Sequence, residues 1–146
     1  MTDMKIKALI LDDESMRIWP YMDNAGHRTW GVGHNLDASP PDHDVWILLN
    51  QAVNLQFQHD LDAVLAVAST EPWWASLNDV RQAAIADMLF NLGTGAIATF
   101  SIFFGYIAAQ RWQAAADDLR TTKVFRELPT RYTRLANMIE TGQWAA

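Results

Sequence analysis

A chain of 146 residues, half of them hydrophobic, is long enough to bury the core of one domain. It contains no cysteine, which excludes disulfides, thiol catalysis and thiolate metal sites. Its net charge is −6, and the charges are unevenly distributed, since residues 1–79 hold 4 basic and 12 acidic side chains. An N-terminal half this acidic disfavours nucleic-acid binding, which needs a basic surface.

The first elements combine a helix with a small sheet. Apolar side chains recur at helical spacing in residues 1–11 and predict a short first helix, whereas the charged side chains among them argue against a signal peptide. From Arg17 to Leu36 the chain becomes rich in aromatic and β-branched residues, and the turn-forming string Asp23-Asn24-Ala25-Gly26 interrupts it. This pattern predicts a hairpin or a three-stranded sheet.

Helical periodicity dominates the rest of the chain. A long amphipathic helix is predicted from Val45 to Ala68, after Pro40-Pro41. A strongly apolar central helix is predicted over 80–92, capped by Asn78 or Asp79 and ended by Gly93. Further helices are expected at about 100–109, 112–119 and 129–141. No stretch reaches the roughly 20 apolar residues of a membrane span.

This layout predicts one α+β domain. A β-containing N-terminal lobe covers about 12–60, and an all-helical C-terminal lobe covers about 72–146 plus the first helix. A cleft between two such lobes is the natural place for a substrate. Of the seven tryptophans, Trp30, Trp112 and the pair Trp73-Trp74 are expected in the core or at the connection between lobes.

Three oxygen-bearing side chains near the N-terminus indicate the chemistry. Glu14 precedes the sheet, Asp23 lies in a turn nine residues later, and Thr29 follows after six more. Glycoside hydrolysis commonly uses one carboxylic acid to protonate the leaving oxygen and one carboxylate to act on water or on the cationic transition state. The spacing of two carboxylates alone is weak support, because acidic residues are common.

The full strings are more specific. Glu14, Asp23 and the run Thr29-Trp30-Gly31-Val32-Gly33-His34 fit the pattern E-x8-D-x5-T-x-G-x-G-H, which closely resembles the active-site segment of the T-even phage lysozymes, glycoside hydrolase family 24. Matches at 80–93, at 110–112 and at 129–134 extend the resemblance in order over nearly the whole chain. The main departure is the stretch between Pro41 and Pro72, which is shorter than in the T-even proteins.

The resemblance implies a lysozyme-like fold and a muramidase. It implies that Glu14 is the general acid, that Asp23 is the catalytic carboxylate and that Thr29 holds the attacking water. The implied reaction is inverting hydrolysis of the β-1,4 bond between N-acetylmuramic acid and N-acetylglucosamine. In such a site the two carboxyls stand roughly 6.5–9.5 Å apart, so that water fits between sugar and base.

The resemblance also implies supporting residues. Arg131 is expected to pair with Glu14, and His34 is expected to pair with Asp60 in a structural contact between the lobes. An ion pair lowers the pKa of an acid and desolvation raises it, so we expect activity to fall at alkaline pH as Glu14 loses its proton. A surface role for Arg131 remains the alternative.

Substrate contacts are expected from Gly33, Phe90 and Asn91. A glycine admits close approach of the backbone to a sugar, although a tight turn at Gly33 is equally compatible with the sequence. By resemblance, the Phe90 ring offers an apolar wall and the Asn91 amide meets an N-acetyl group. The spacing of the four histidines is not that of metal ligands, so neither a metal nor a cofactor is expected.

The leading interpretation is a monomeric endolysin of a phage or prophage. It would stay in the host cytoplasm until a holin-type membrane permeabiliser gives it access to the glycan strands of peptidoglycan. Two alternatives remain. A lytic transglycosylase needs neither Asp23 nor Thr29, and a catalytically inactive wall-binding module would not need the complete set of Glu14, Asp23 and Thr29.

Overall fold

The computed structural model describes residues 17–144. The predicted first helix and Glu14 lie outside the described residues. The chain divides into two compact units, one ending at Val53 and the other beginning at Asn54. The small sheet belongs to the first unit and most of the helices belong to the second, which confirms the α+β, lysozyme-like fold class.

The first unit carries a three-stranded antiparallel sheet, ordered β1 (Arg17–Met22), β2 (Arg28–Gly31) and β3 (His34–Asn35). The turn predicted between β1 and β2 is present. The amide of Gly26 donates to the carbonyl of Asp23 at 3.0 Å, and Gly26 has a φ of 84°, which glycine adopts without steric cost. The turn therefore fixes Asp23 at the end of β1, and the three-stranded form of the prediction is confirmed.

A second tight turn joins β2 to β3. Gly31 and Gly33 have φ values of 65° and 69°, a left-handed conformation that residues with a Cβ rarely adopt. The turn pairs Trp30 with His34 across the two strands. Gly33 therefore has a local structural reason to be glycine.

Helix α1 (His43–Ala68) begins soon after the two prolines, as predicted, and runs through the boundary between the units. Its buried side chains, Val64 and Ala68, lie near its C-terminal end. Although α1 has 26 residues, neither it nor any other helix within residues 17–144 is long and apolar enough to cross a bilayer.

The remaining helices of the second unit follow a short 3₁₀ turn at Trp74–Ser76. They are α2 (Asp79–Leu92), α3 (Ala96–Thr99), α4 (Ser101–Ala108), α5 (Trp112–Thr121), α6 (Lys123–Glu127) and α7 (Pro129–Thr141). The predicted ends of α2 are confirmed. The Asn78 side chain accepts a hydrogen bond from the Arg81 amide at 3.0 Å, and Gly93 follows the last turn with a φ of 83°.

Helices α2 and α7 each contribute five side chains to the core of the second unit. Helix α7 packs against α2, α5 and α6, and α4 packs against α5. The largest fully buried side chains in this core are Ile85, Met88, Leu89, Phe103, Ile107, Leu119, Tyr132, Leu135 and Ile139. The prediction that α2 is buried is therefore confirmed, whereas the helix that packs against the most others is α7.

The tryptophan predictions have mixed outcomes. Trp73 is buried and its ring stacks on Phe104 with centroids 5.3 Å apart, while Trp74 and Trp112 pack against the core from its edge. Trp30 is only half-buried.

Two short helices, α3 and α6, were not predicted. Each has only four or five residues, too few for apolar side chains to recur on one face. Helix α6 has a local signal that could have revealed it, because the Thr122 hydroxyl accepts from the Phe125 amide as an N-cap.

Candidate active site

Asp23 is held by the turn that follows β1. Its Oδ1 accepts hydrogen bonds from the backbone amides of Ala25 at 2.9 Å and His27 at 2.8 Å. The hydrogen bond from the His27 amide is the main cause that lowers the pKa of Asp23 below its ordinary value, because it favours the charged carboxylate. Partial desolvation opposes this effect. Asp23 is therefore an ionised carboxylate at neutral pH, and its side chain is about one-third exposed.

Thr29 lies beside this carboxylate on β2. The sheet register places Thr29 opposite Tyr21, two residues before Asp23, and the threonine is only 3% exposed. Thr29 Oγ1 lies 3.4 Å from Asp23 Oδ2 and 3.2 Å from the carbonyl oxygen of His27. A hydroxyl has one proton to donate and keeps acceptor capacity on its oxygen. Asp23 and Thr29, predicted together from sequence, are brought together.

His27 was not predicted as part of this site. Its Nδ1 lies 3.4 Å from Asp23 Oδ2, so a protonated ring adds to the stabilisation of the carboxylate. The signal in the sequence is its place four residues after Asp23, at the end of a tight turn. Such a turn brings the two side chains to the same end of the hairpin.

Replacing His27 with Ala is expected to leave the Asp23 pKa below its ordinary value of 3.8, because the leading cause is the backbone amide, which alanine keeps. A depressed folded-state pKa stabilises the fold above the unfolded-state pKa, and this stability is lost as the pH falls through the folded-state pKa. Titration of the Asp23 carboxyl carbon by NMR measures the pKa of Asp23 in the parent protein and in His27→Ala. A return to the ordinary value in His27→Ala would show that the ring controls the carboxylate.

Glu14, the third member of the predicted set, lies outside the described residues, so its role as the acid stays a prediction. Arg131, its predicted partner, forms an ion pair within the second unit. Arg131 Nε donates to Asp87 Oδ1 at 2.7 Å and a second guanidinium nitrogen contacts the same oxygen, while Arg134 lies 3.1 Å from Asp87 Oδ2. Pairing of Arg131 with Glu14 also stays a prediction.

Asp87 was missed by sequence reasoning. It is a carboxylate in the second half of helix α2, between the buried residues Ala86 and Met88, and its two partners lie three residues apart on α7. Residues at that spacing share one face of a helix. An acid within the apolar run Ala83–Leu89, together with two arginines at this spacing, is the signal that could have revealed the cluster.

The predicted substrate-binding residues of the second unit are Phe90 and Asn91. The Phe90 ring is 38% exposed, makes an edge contact with Phe57 at 5.5 Å between centroids, and lines an apolar groove of about 610 Å³. Asn91 Oδ1 accepts from the buried Tyr132 hydroxyl at 2.8 Å. The amide NH₂ of Asn91 is thereby oriented, and its contact with sugar, like that of Gly33, stays a prediction.

His34 and Asp60, the predicted structural pair, have local partners. His34 Nε2 lies 3.2 Å from the carbonyl oxygen of Ser39, which stabilises the loop after β3. Asp60 Oδ1 accepts from Gln56 Nε2 at 2.8 Å, one turn earlier on α1. Pairing of His34 with Asp60 stays a prediction.

The positive charges at the C-terminal end of the chain are largely neutralised. Arg120 pairs with Asp117 and Glu140, and Lys123 pairs with Glu127. Within residues 17–144 no group of three or more His, Asp or Glu side chains is placed to hold a metal ion. Of the predicted catalytic residues, Asp23 and Thr29 are the two that the described part of the first unit brings together.

Comparison with known proteins identifies the family of the chain. The family model described as phage lysozyme matches residues 12–128, a range that includes the sheet and helix α2. The probable T4-type lysozymes 1 and 2 of Dictyostelium discoideum are each 22% identical to the chain. Each alignment covers 94% of this chain and 94% of the relative.

A further relative is the pre-baseplate central spike protein Gp5 of Enterobacteria phage T4, which is 25% identical over 96% of the chain. The chain spans only 28% of that protein. The family model covers most of the present chain. The chain therefore belongs to the phage lysozyme family, a family of lysozyme-like glycan hydrolases.

Proposed function

We propose that the protein is an N-acetylmuramidase that hydrolyses the β-1,4 bond between N-acetylmuramic acid and N-acetylglucosamine in peptidoglycan. The observation that carries the proposal is the ionised Asp23 carboxylate, in the turn after β1, which lies 3.4 Å from the Thr29 hydroxyl on β2. This pair has the chemistry required to bind and direct a water molecule.

The electrostatics of Asp23 exclude the role of acid. Because its pKa is lowered, the group is deprotonated at neutral pH and cannot serve as proton donor to a leaving sugar. A second group must supply that proton. Glu14 is proposed as this acid, and its resemblance to the family acid supports the assignment.

The buried hydroxyl gives the water an orientation. Thr29 Oγ1 donates its proton to one neighbouring oxygen and accepts from water, while Asp23 Oδ2 accepts a second hydrogen of the same water. In the proposed step the anomeric carbon loses its bond to the bridging oxygen, which takes the Glu14 proton. The water oxygen forms the new bond and its proton passes to Asp23, so the configuration inverts.

In the cell, the proposed role is that of a phage or prophage endolysin acting as a monomer on glycan strands. The enzyme would reach peptidoglycan from the host cytoplasm through a holin-type permeabiliser. Family membership supports action on a glycan, and expression with and without a permeabilising protein tests the route. Lysis that depends on the permeabiliser is the expected result, whereas lysis without it would contradict the route.

Mass spectrometry of peptidoglycan digested by the protein tests the reaction. Hydrolysis is expected to release fragments with a reducing N-acetylmuramic acid end, and the Glu14→Gln variant is expected to release almost none. An anhydro end would identify a lytic transglycosylase. If the parent protein released no fragments, a catalytically inactive wall-binding module would be the remaining interpretation.

A further inference from the structure

The first unit carries a concave apolar surface that the proposed chemistry does not use. This tryptophan surface encloses about 460 Å³. Rings and apolar side chains from β1, β2, the loop after β3 and the start of α1 form it: Trp19, Trp30, Trp46, Pro40, Pro41 and Leu49. All of these residues belong to the first compact unit, so contacts within that unit determine the shape of the surface.

Two of its indoles face solvent. Trp19 is 79% exposed and Trp46 is 48% exposed, values far above those of core tryptophans such as Trp73 at 8%. The Trp30 indole N–H donates to the Ile18 carbonyl at 2.8 Å, which holds that ring in the floor of the surface. Aromatic rings with few rotatable bonds, next to rigid prolines, bind a flat partner with little loss of conformational entropy.

The charge of the surface favours a neutral ligand. Its cationic lining residue, Arg28, pairs with Asp37 through Nε and Oδ1 at 2.7 Å, and the Arg28 amide donates to Asp37 Oδ2 at 2.7 Å. The cation is therefore neutralised, and the surrounding half of the sequence is acidic. Anionic membranes would be repelled, whereas a sugar needs apolar ring faces and a polar rim.

Trp19, which lines the surface, is also close to Asp23 along the chain. Trp19 and Asp23 are four residues apart along β1 and the turn that follows it, about 13 Å at the usual rise of a strand. A polymer bound at Asp23 can therefore reach Trp19 within a few sugar rings.

From these observations we propose that the tryptophan surface binds the neutral N-acetylglucosamine rings of the glycan strand, outside the site of cleavage. The ring faces of Trp19 and Trp46 would stack on the C–H faces of the sugars, and the Arg28–Asp37 pair would meet their polar groups. The proposal rests on the proposed function for its substrate class. It does not depend on which residue is the acid.

Titration of the ¹⁵N-labelled full chain with neutral N-acetylglucosamine oligosaccharides tests the proposal, since the seven tryptophans give separate indole N–H signals. We expect the signals of Trp19 and Trp46 to shift. Trp19→Ala is expected to weaken binding about fivefold, as loss of one stacked ring should, and Trp19→Tyr is expected to restore most of it. Trp144→Ala is the matched control, because Trp144 is 65% exposed on the second unit.

Three results would overturn the proposal: unshifted Trp19 and Trp46 signals, equal binding by Trp19→Ala and the parent, or an equal loss in Trp144→Ala. Binding of the surface to anionic vesicles, or loss of a dimer in Trp19→Ala by sedimentation, would assign it to a different partner. The titration needs no turnover. A chain that binds the oligosaccharides but releases no fragments from peptidoglycan would therefore contradict the proposed function and leave this inference intact.

Discussion

Replacing Asp23 with Asn is expected to lower kcat on peptidoglycan by about 10²–10⁴-fold while leaving the fold intact, the range that loss of a general base commonly causes. The amide keeps an oxygen that can accept from the amides of Ala25 and His27, but it cannot take a proton from water. Turnover of purified cell wall, together with the circular dichroism spectrum and the melting curve, measures both parts of the expectation.

Asp44→Asn is the matched control for this variant. Asp44 is a carboxylate of the same unit whose side chain is almost fully exposed, and its loss is expected to leave kcat unchanged. If Asp23→Asn kept near-parental turnover, the carboxylate would have no part in the reaction. If Asp44→Asn lost as much activity as Asp23→Asn, the loss would result from removing a negative charge anywhere in this unit and not from a specific role of Asp23.

Arg81→Met is expected to lower the free energy of unfolding by about 2–3 kcal/mol, as the loss of hydrogen bonds from a charged donor does. Arg81 Nε donates to the carbonyl of Ile139 at 2.8 Å and a second nitrogen donates to that of Glu140 at 3.2 Å. Helix α7 has no basic residue in its own last turn, so Arg81 of α2 supplies the positive charge there.

Urea unfolding measures this loss. Arg81 also lies over the Trp112 ring, 4.2 Å from its centroid. Arg111→Met is therefore the control, since Arg111 lies over the Tyr106 ring at 5.1 Å, and its loss is expected to change stability by about 0.5 kcal/mol or less. Equal losses in both variants would indicate that the carbonyl contacts of Arg81 contribute nothing.

Gly142 is coupled to Arg81. Gly142 ends α7 with a φ of 66°, and a Cβ there would lie 2.6 Å from an Arg81 guanidinium nitrogen. Gly142→Ala alone is expected to cost about 1–2 kcal/mol from the left-handed backbone, plus the collision. In Arg81→Met the collision disappears, so the double variant should lose less than the two single losses combined. Additive losses would contradict the contact.

The elements that could be predicted from the sequence have strong local causes. The turn at 23–26 follows from an Asp-Asn-Ala-Gly string, and the ends of α2 follow from Asn78 and Gly93, whose preferences act within a few residues. The closeness of Asp23 and Thr29 follows in turn, because a hairpin with a short turn places the residues on both sides of it next to each other.

What could not be predicted depends on contacts distant in sequence. The partner of Arg131 is Asp87, 44 residues earlier, and the pairing arises from the packing of α7 on α2. The sequence marks both helices without fixing their relative rotation, so it cannot choose among the carboxylates available to Arg131. In the same way Trp19 is one aromatic residue of a strand in sequence, and only the fold shows how exposed it is.

NMR observation of the first product is the most direct test of the water held by Asp23 and Thr29. Attack by that water, on the face opposite the leaving group, predicts that cleavage of the β-linked substrate first releases the α-anomer, before mutarotation mixes the two forms. Initial release of the β-anomer would require a covalent intermediate or attack from the other face, and it would contradict the account.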